Sequence, residues 1–174
     1  MAAGGSLQPV AEERAIAAVQ ELGLVFEVTR HGRVASLAEA AAARGIEPRD
    51  LVKTLVVRRG DDDFLFVLVP GDRDFSWPKL RALLGVQRLS MPDAATATRV
   101  TGYERGTITP FGSLRAWPVI ADVGMVGRTI SMGGGAHGVG ITLDADAVLA
   151  ALGATVADIS DADAPEAPEA PDAD

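Results

Sequence analysis

An α+β domain built on a mixed, curved sheet is the fold this sequence predicts, and three observations predict it. Strand-like runs outnumber and interleave with short helical segments. Their order shows neither regular βαβ alternation nor a fixed repeat period. The 174 residues, 48% of them hydrophobic, supply one substantial core and are too few for two comfortable domains.

Pro9 to Gly23 carries Val10, Ile16, Val19 and Leu22 at helical spacing, which predicts an amphipathic helix stopped by Gly23. Leu24 to Thr29 follows as a strand. Ser36 and Glu39 form a capping-box pair ahead of an alanine-rich helix ending at Gly45. Leu51 to Arg59 and Asp63 to Val69 are β-branched, apolar runs around Gly60-Asp61-Asp62, which reads as a hairpin closed by Pro70-Gly71. Ser76 to Gly85 predicts a short helix with Pro78 in its first turn, and Pro92 to Val100 a second one capped by Ser90. Pro118 to Ala121, Gly127 to Met132 and Val139 to Leu143 predict strands, Asp144 to Leu152 a helix, and Ala154 to Ile159 a last strand. Residues 1–8 read as a flexible N-terminus and 9–160 as the domain. Residues 161–174, with repeated Ala-Pro-Glu and Ala-Pro-Asp, read as a disordered acidic tail with almost nothing to bury.

Charge narrows the partners. The formal charge is −8, but six acids and no base lie in residues 161–174, so the first 160 residues carry −2. All sixteen cations fall between Arg14 and Arg128. That excludes a general duplex binder, which needs many phosphate contacts, and leaves a local basic face able to hold one strand end. Met1 to Ser6 has neither a basic n-region nor an apolar h-region, and no run approaches the roughly 18 apolar residues a spanning helix requires. No membrane partner is expected, and the cytoplasm is the expected compartment. Without cysteine there is no thiolate nucleophile, and His31 and His137, the two histidines, sit at no metal-ligand spacing with carboxylates, so no metal is expected. A Gly-x-Ser-x-Gly elbow is missing as well.

Three features remain that can carry chemistry. Lys53 alternates onto the same face as Leu51, Leu55 and Val57, an apolar face where an ammonium either snorkels from a strand end or sits beside an anion. Thr101 to Gly112 is too rich in Gly and Pro for a helix and too long for a simple turn. Its backbone amides and the Thr107 and Thr109 hydroxyls can face a ligand, or it can be a surface loop with structural glycines. Gly133 to Gly140, between two strands, allows close backbone approach and an anion nest, or a tight hairpin with no ligand. It lacks the lysine and serine or threonine of a phosphate loop and the spacing of a dinucleotide fingerprint.

Taken in this order, Lys53-Thr54-Leu55, Thr101-Gly102-Tyr103 leading into Gly106-x-x-x-Pro110, and Gly134-Gly135 resemble the YbaK/ProX family and the related editing domain of bacterial prolyl-tRNA synthetases, over roughly Val10 to Ile159. The resemblance implies a single domain with a curved, barrel-like mixed sheet flanked by short helices, acting without a cofactor. It implies a pocket for the 3′ aminoacyl end of tRNA. There Lys53, the catalytic residue, would contact the terminal adenosine or its phosphate and orient the ester, while Gly106, Thr107, Thr109 and Pro110 border the amino acid. His31, Thr54, Gly134 and Gly135 complete the implied substrate-binding set. The implied activity is deacylation of mischarged tRNA bearing a small amino acid such as cysteine or alanine, on the tRNA for proline, with a delivering synthetase as a further candidate partner. The alternative is a noncatalytic homologue that binds the same end. Four residues depart from the pattern: Ala136 and His137 replace a basic pair, Gly140 an aspartate, and Gly32 the proline after the early histidine.

Overall fold

The computed structural model describes residues 10–162; residues 1–9 and 163–174, which include most of the expected terminal segments, lie outside the described residues. Helix α1 spans Ala11–Glu21, strand β1 Phe26–Arg30, and α2 Leu37–Ala43. The Ser36 hydroxyl caps α2 by accepting from Glu39 N–H at 3.1 Å, while the Glu39 carboxylate reaches back to Ala35 N–H at 2.7 Å, so the predicted capping box closes one residue early. The hairpin forms from β2 (Val52–Gly60) and β3 (Asp63–Pro70), and Asp62 takes the left-handed backbone at φ 52° that its turn demands.

After the hairpin come β4 (Arg73–Phe75), α3 (Trp77–Leu84), α4 (Ala94–Thr101) and β5 (Val119–Asp122). Then follow β6 (Thr129–Gly133), β7 (Val139–Asp144), α5 (Ala145–Leu152), β8 (Thr155–Ala157) and β9 (Ser160–Ala162). One expected cap is corrected. Helix α4 is capped by Asp93, whose carboxylate accepts from Thr96 N–H at 2.7 Å, and Ser90 instead exchanges backbone hydrogen bonds with Arg58.

The strands form a three-stranded sheet in the order β1-β7-β6, a four-stranded sheet β2-β3-β5-β8, and a two-stranded ladder β4-β9. The barrel-like curvature expected from the resemblance is not a closed barrel among the described residues. The two larger sheets meet edge to edge at a single bridge, Leu51 to Ser131. Strand β3 explains the uninterrupted apolar run of the sequence, because it is buried on both faces. Phe64, Phe66 and Leu68 enter the main core with Val52, Val56, Ile130, Ile141 and α5. Leu65, Val67 and Val69 enter a second core against Leu80 of α3 and Ile159.

Strands β4 and β9 hang on one buried carboxylate. Asp122 accepts from Ser160 Oγ at 2.7 Å, Ile159 N–H at 3.2 Å and Gly124 N–H at 2.8 Å, and Arg73 donates in turn to Ser160 Oγ at 2.6 Å. Asp161 and Ala162, assigned to the tail by composition, therefore pair with Asp74 and Arg73.

Candidate active site

The free edge of β2 faces a cleft of about 290 Å³. Arg58 donates to Ser90 O at 2.7 Å and accepts from Ser90 N–H at 3.0 Å, so its peptide groups point away from β3. Peptide direction alternates along an antiparallel pair, and the β2 register with β3 is unbroken from Val52 to Arg58. The N–H and C=O groups of Thr54 and Val56 therefore point the same way, along the strand edge that borders the cleft. Such an edge is a row of fixed donors and acceptors for a ligand.

The cleft has two unlike ends. Arg44, bonded to Ser131 across from Leu51, stands at one, with Gly133 two residues further along β6; at the other Met91 and Pro92 follow Ser90, the partner of Arg58, and with Ala97 form an apolar wall. Arg105, Gly106 and Ile108 line it as well. The loop carrying them is pinned. Arg14 of α1 donates to Gly112 O at 3.0 Å and Gly102 O at 2.8 Å and stacks on Tyr103, whose hydroxyl donates to Phe111 O. Burial pushes the Tyr103 phenol pKa up, which keeps it a donor. Gly106 sits at φ 89°, a left-handed conformation that favours glycine.

The cleft brings together three of the residues expected from the sequence, Lys53, Thr54 and Gly106. Lys53 does follow the face of Leu55 and Val57, which pack on the second core, so its ammonium turns toward β4. There it donates to Arg73 O at 2.5 Å and lies 3.8 Å from the Asp74 carboxylate. The Thr54 side chain lies on the opposite face between Val52 and Val56, and its Oγ1 is buried with no hydrogen-bond partner among the described residues. Thr107 and Thr109 are buried, and their hydroxyls serve the loop itself: Thr107 donates to Glu104 O at 2.7 Å and Thr109 accepts from Phe111 N–H at 3.4 Å. Pro110 lies in the same pinned loop. Gly134 and Gly135 sit behind the cleft, Gly134 against Val139 and Gly135 against Ala11 and Tyr103, while Gly133 is the glycine of that run that reaches the lining. His31 borders a separate hollow shared with His137, but its Nε2 accepts from Arg44 Nε at 3.3 Å.

Arg44, Tyr103 and the Met91-Pro92 wall were not singled out by sequence reading. Arg44 meets the cleft only through long-range packing, and Tyr103 carried a signal only as part of the Thr101-Gly102-Tyr103 run.

A family model described as an aminoacyl-tRNA editing domain matches residues 31–151, a span that contains the whole lining of the cleft. The chain belongs to this family. It is 32% identical over 117 residues to the proline–tRNA ligase of Thermosipho africanus, a match covering 65% of this chain and 20% of the ligase. It is 35% identical over 106 residues to that of Desulforamulus reducens, covering 61% and 18%. The chain thus spans about a fifth of the length of these relatives. Among solved structures, a protein proposed as a trans-editing enzyme for prolyl tRNA synthetase superposes with a TM-score of 0.79 at 26% identity, over 90% of this chain and 99% of that one. The editing domain therefore has the α+β fold of that enzyme, and no described helix is long and apolar enough to cross a membrane.

Proposed function

We propose that this editing domain is an aminoacyl-tRNA deacylase acting in trans, which hydrolyses the ester of a small amino acid, cysteine or alanine, from the tRNA for proline in the cytoplasm. The observation that carries the reading is the cleft itself. In a chain of the editing family, it sets the Lys53-Thr54 edge of β2 opposite the pinned Gly106 to Ile108 loop.

In this reading the 3′ aminoacyl-adenosine lies along the edge of β2, and peptide N–H groups there polarise the ester carbonyl. Water adds to the carbonyl carbon, the tetrahedral oxyanion collapses, and the ribose oxygen leaves and takes a proton, giving free amino acid and tRNA. No side-chain nucleophile is needed, and rate comes from positioning and electrostatic stabilisation. Lys53 supplies the countercharge once its flexible stem swings the ammonium from Arg73 O to the ester. A synthetase that delivers the tRNA would supply the contacts that the nearly neutral body of the domain lacks. The apolar Met91, Pro92 and Ala97 wall suits a small side chain.

One observation favours a second reading, a binding-only homologue: the Lys53 ammonium is already held by Arg73 O and Asp74. Release of labelled amino acid from alanyl- and cysteinyl-tRNA for proline and from seryl-tRNA for threonine separates the two. Rapid release from one of the proline substrates supports the deacylase and names its amino acid. Release from none of them, by a folded protein, leaves binding alone.

A further inference from the structure

Arg44 is an unusual cation for a small domain. It follows the last residue of α2, is half-buried, and has no acidic partner among the described residues. Its guanidinium donates through Nε to His31 Nε2 at 3.3 Å and through a terminal nitrogen to Ser131 Oγ at 3.1 Å, both neutral acceptors. His31 Nδ1 lies 2.9 Å from Gly32 O, an arrangement that places the ring proton on Nδ1 and leaves Nε2 free to accept. Cationic side chains after a helix often serve its last carbonyls, but these two bonds go to β6 and to the residue after β1. The space for it exists because residue 140 is glycine. A Cβ there would come within 2.6 Å of Arg44 Nε and 2.8 Å of its Cζ. Burial pushes the Arg44 pKa below the usual guanidinium range, yet the group has no other charge state to adopt in a protein. A desolvated, uncompensated cation lining a largely apolar cleft is costly unless an anion joins it.

We propose that Arg44, held by Ser131 and His31 over Gly140, is a phosphate-binding residue that takes the phosphate attached to the terminal nucleoside at the Leu51 end of the cleft. The assignment rests on the deacylase reading above and fixes the direction of the substrate. The phosphate lies at Arg44 and the aminoacyl group points along β2 toward Met91, Pro92 and Ala97. From Leu51 to Val56 the strand advances roughly 16 Å, enough for a nucleoside monophosphate and a small acyl group laid end to end. The planar guanidinium offers its remaining N–H groups to phosphate oxygens, a geometry that a lysine does not reproduce.

The test is equilibrium titration with adenosine 5′-monophosphate and with adenosine, using wild type, Arg44→Gln and Arg44→Lys. Wild type is expected to prefer the monophosphate by about tenfold, the worth of one charge-assisted contact. Arg44→Gln should bring the ratio near one while adenosine affinity stays unchanged, and Arg44→Lys should fall between. Equal wild-type affinity for the two ligands overturns the assignment without any variant, and leaves nucleoside recognition standing. Failure of wild type to bind either one overturns both the assignment and the deacylase reading beneath it. An Arg44-dependent preference for a glutamyl over an alanyl 3′-amido-adenosine, both lacking phosphate, would give the guanidinium to a side-chain carboxylate and refute the phosphate.

Discussion

Replacing Thr54 with valine should make the protein more stable and a poorer deacylase. The Thr54 hydroxyl is buried and has no partner among the described residues, between Val52 and Val56, which both enter the main core. An unsatisfied buried polar group costs about 1–3 kcal/mol. Valine has the same branching and suits a strand at least as well. The substitution removes the orphan hydroxyl and adds a buried methyl, so a gain of about 1–2 kcal/mol is expected. For a chain of this size that corresponds to a rise of roughly 3–6 °C in Tm. Function should move the other way. Rotation about its side chain would turn this buried hydroxyl toward the cleft that Thr54 lines, and losing a hydrogen bond so made in the transition state lowers kcat/KM by about three- to tenfold. Urea titration and thermal melting give the first quantity, and single-turnover deacylation the second. A variant destabilised by about 1 kcal/mol or more, with unchanged turnover, would show that the Thr54 hydroxyl is neither an orphan in the fold nor a ligand contact.

Lys53→Ala should abolish most deacylation while lowering Tm by only a few degrees, since the ammonium is partly exposed and a single hydrogen bond is worth about 1 kcal/mol; unchanged turnover in a folded variant would count against a catalytic lysine. Gly71→Ala should cost about 2–3 kcal/mol by overpacking, because a Cβ at that position meets Leu37 and the carbonyls of Pro48 and Leu51, all well inside contact distance; chemical denaturation reads the loss. Asp93, held below the usual carboxylate range by its bond from Thr96 N–H, caps α4 in its charged form. Its proton binds the unfolded chain first, so the stability it lends is complete above roughly pH 4 and is lost as pH falls through its lower folded value. Asp93→Asn caps at all pH values and should flatten that acid limb in urea melts taken from pH 6 to pH 2, whereas an unchanged slope would show that other carboxylates set it.

The hairpin, the helix boundaries and the pinned loop were legible because each has a local cause. Ser36, Ser76 and Asp144 cap the helices expected to begin at them, and Gly85 and Gly153 end two of these in left-handed conformations. Strand β4 was missed because Arg73-Asp74-Phe75 carries no apolar alternation; Asp122 and Ser160, distant in sequence, hold it in place. The Ser90 cap was misplaced because two competent side chains lie three residues apart, and the pairing of Ser90 with Arg58 decided between them. Lys53 was correctly placed on the face of Leu55 and Val57, but sequence alternation says nothing of β4, which supplies the carbonyl that receives its ammonium. Arg44 had no local signal at all. Its nearest trace in the sequence was Gly140 in place of an expected aspartate, a vacancy whose meaning depends on which side chain packs across it.

If the edge of β2 holds the aminoacyl end, its amides must sense that ligand. The most direct measurement is amide chemical-shift mapping of the labelled protein with a non-hydrolysable alanyl 3′-amido-adenosine. Shifts at Thr54, Val56, Gly106 and Ile108 that saturate together are expected. Shifts confined to Gly32, Val34 and Gly138, in the hollow between His31 and His137, with the β2 edge unchanged, would contradict it.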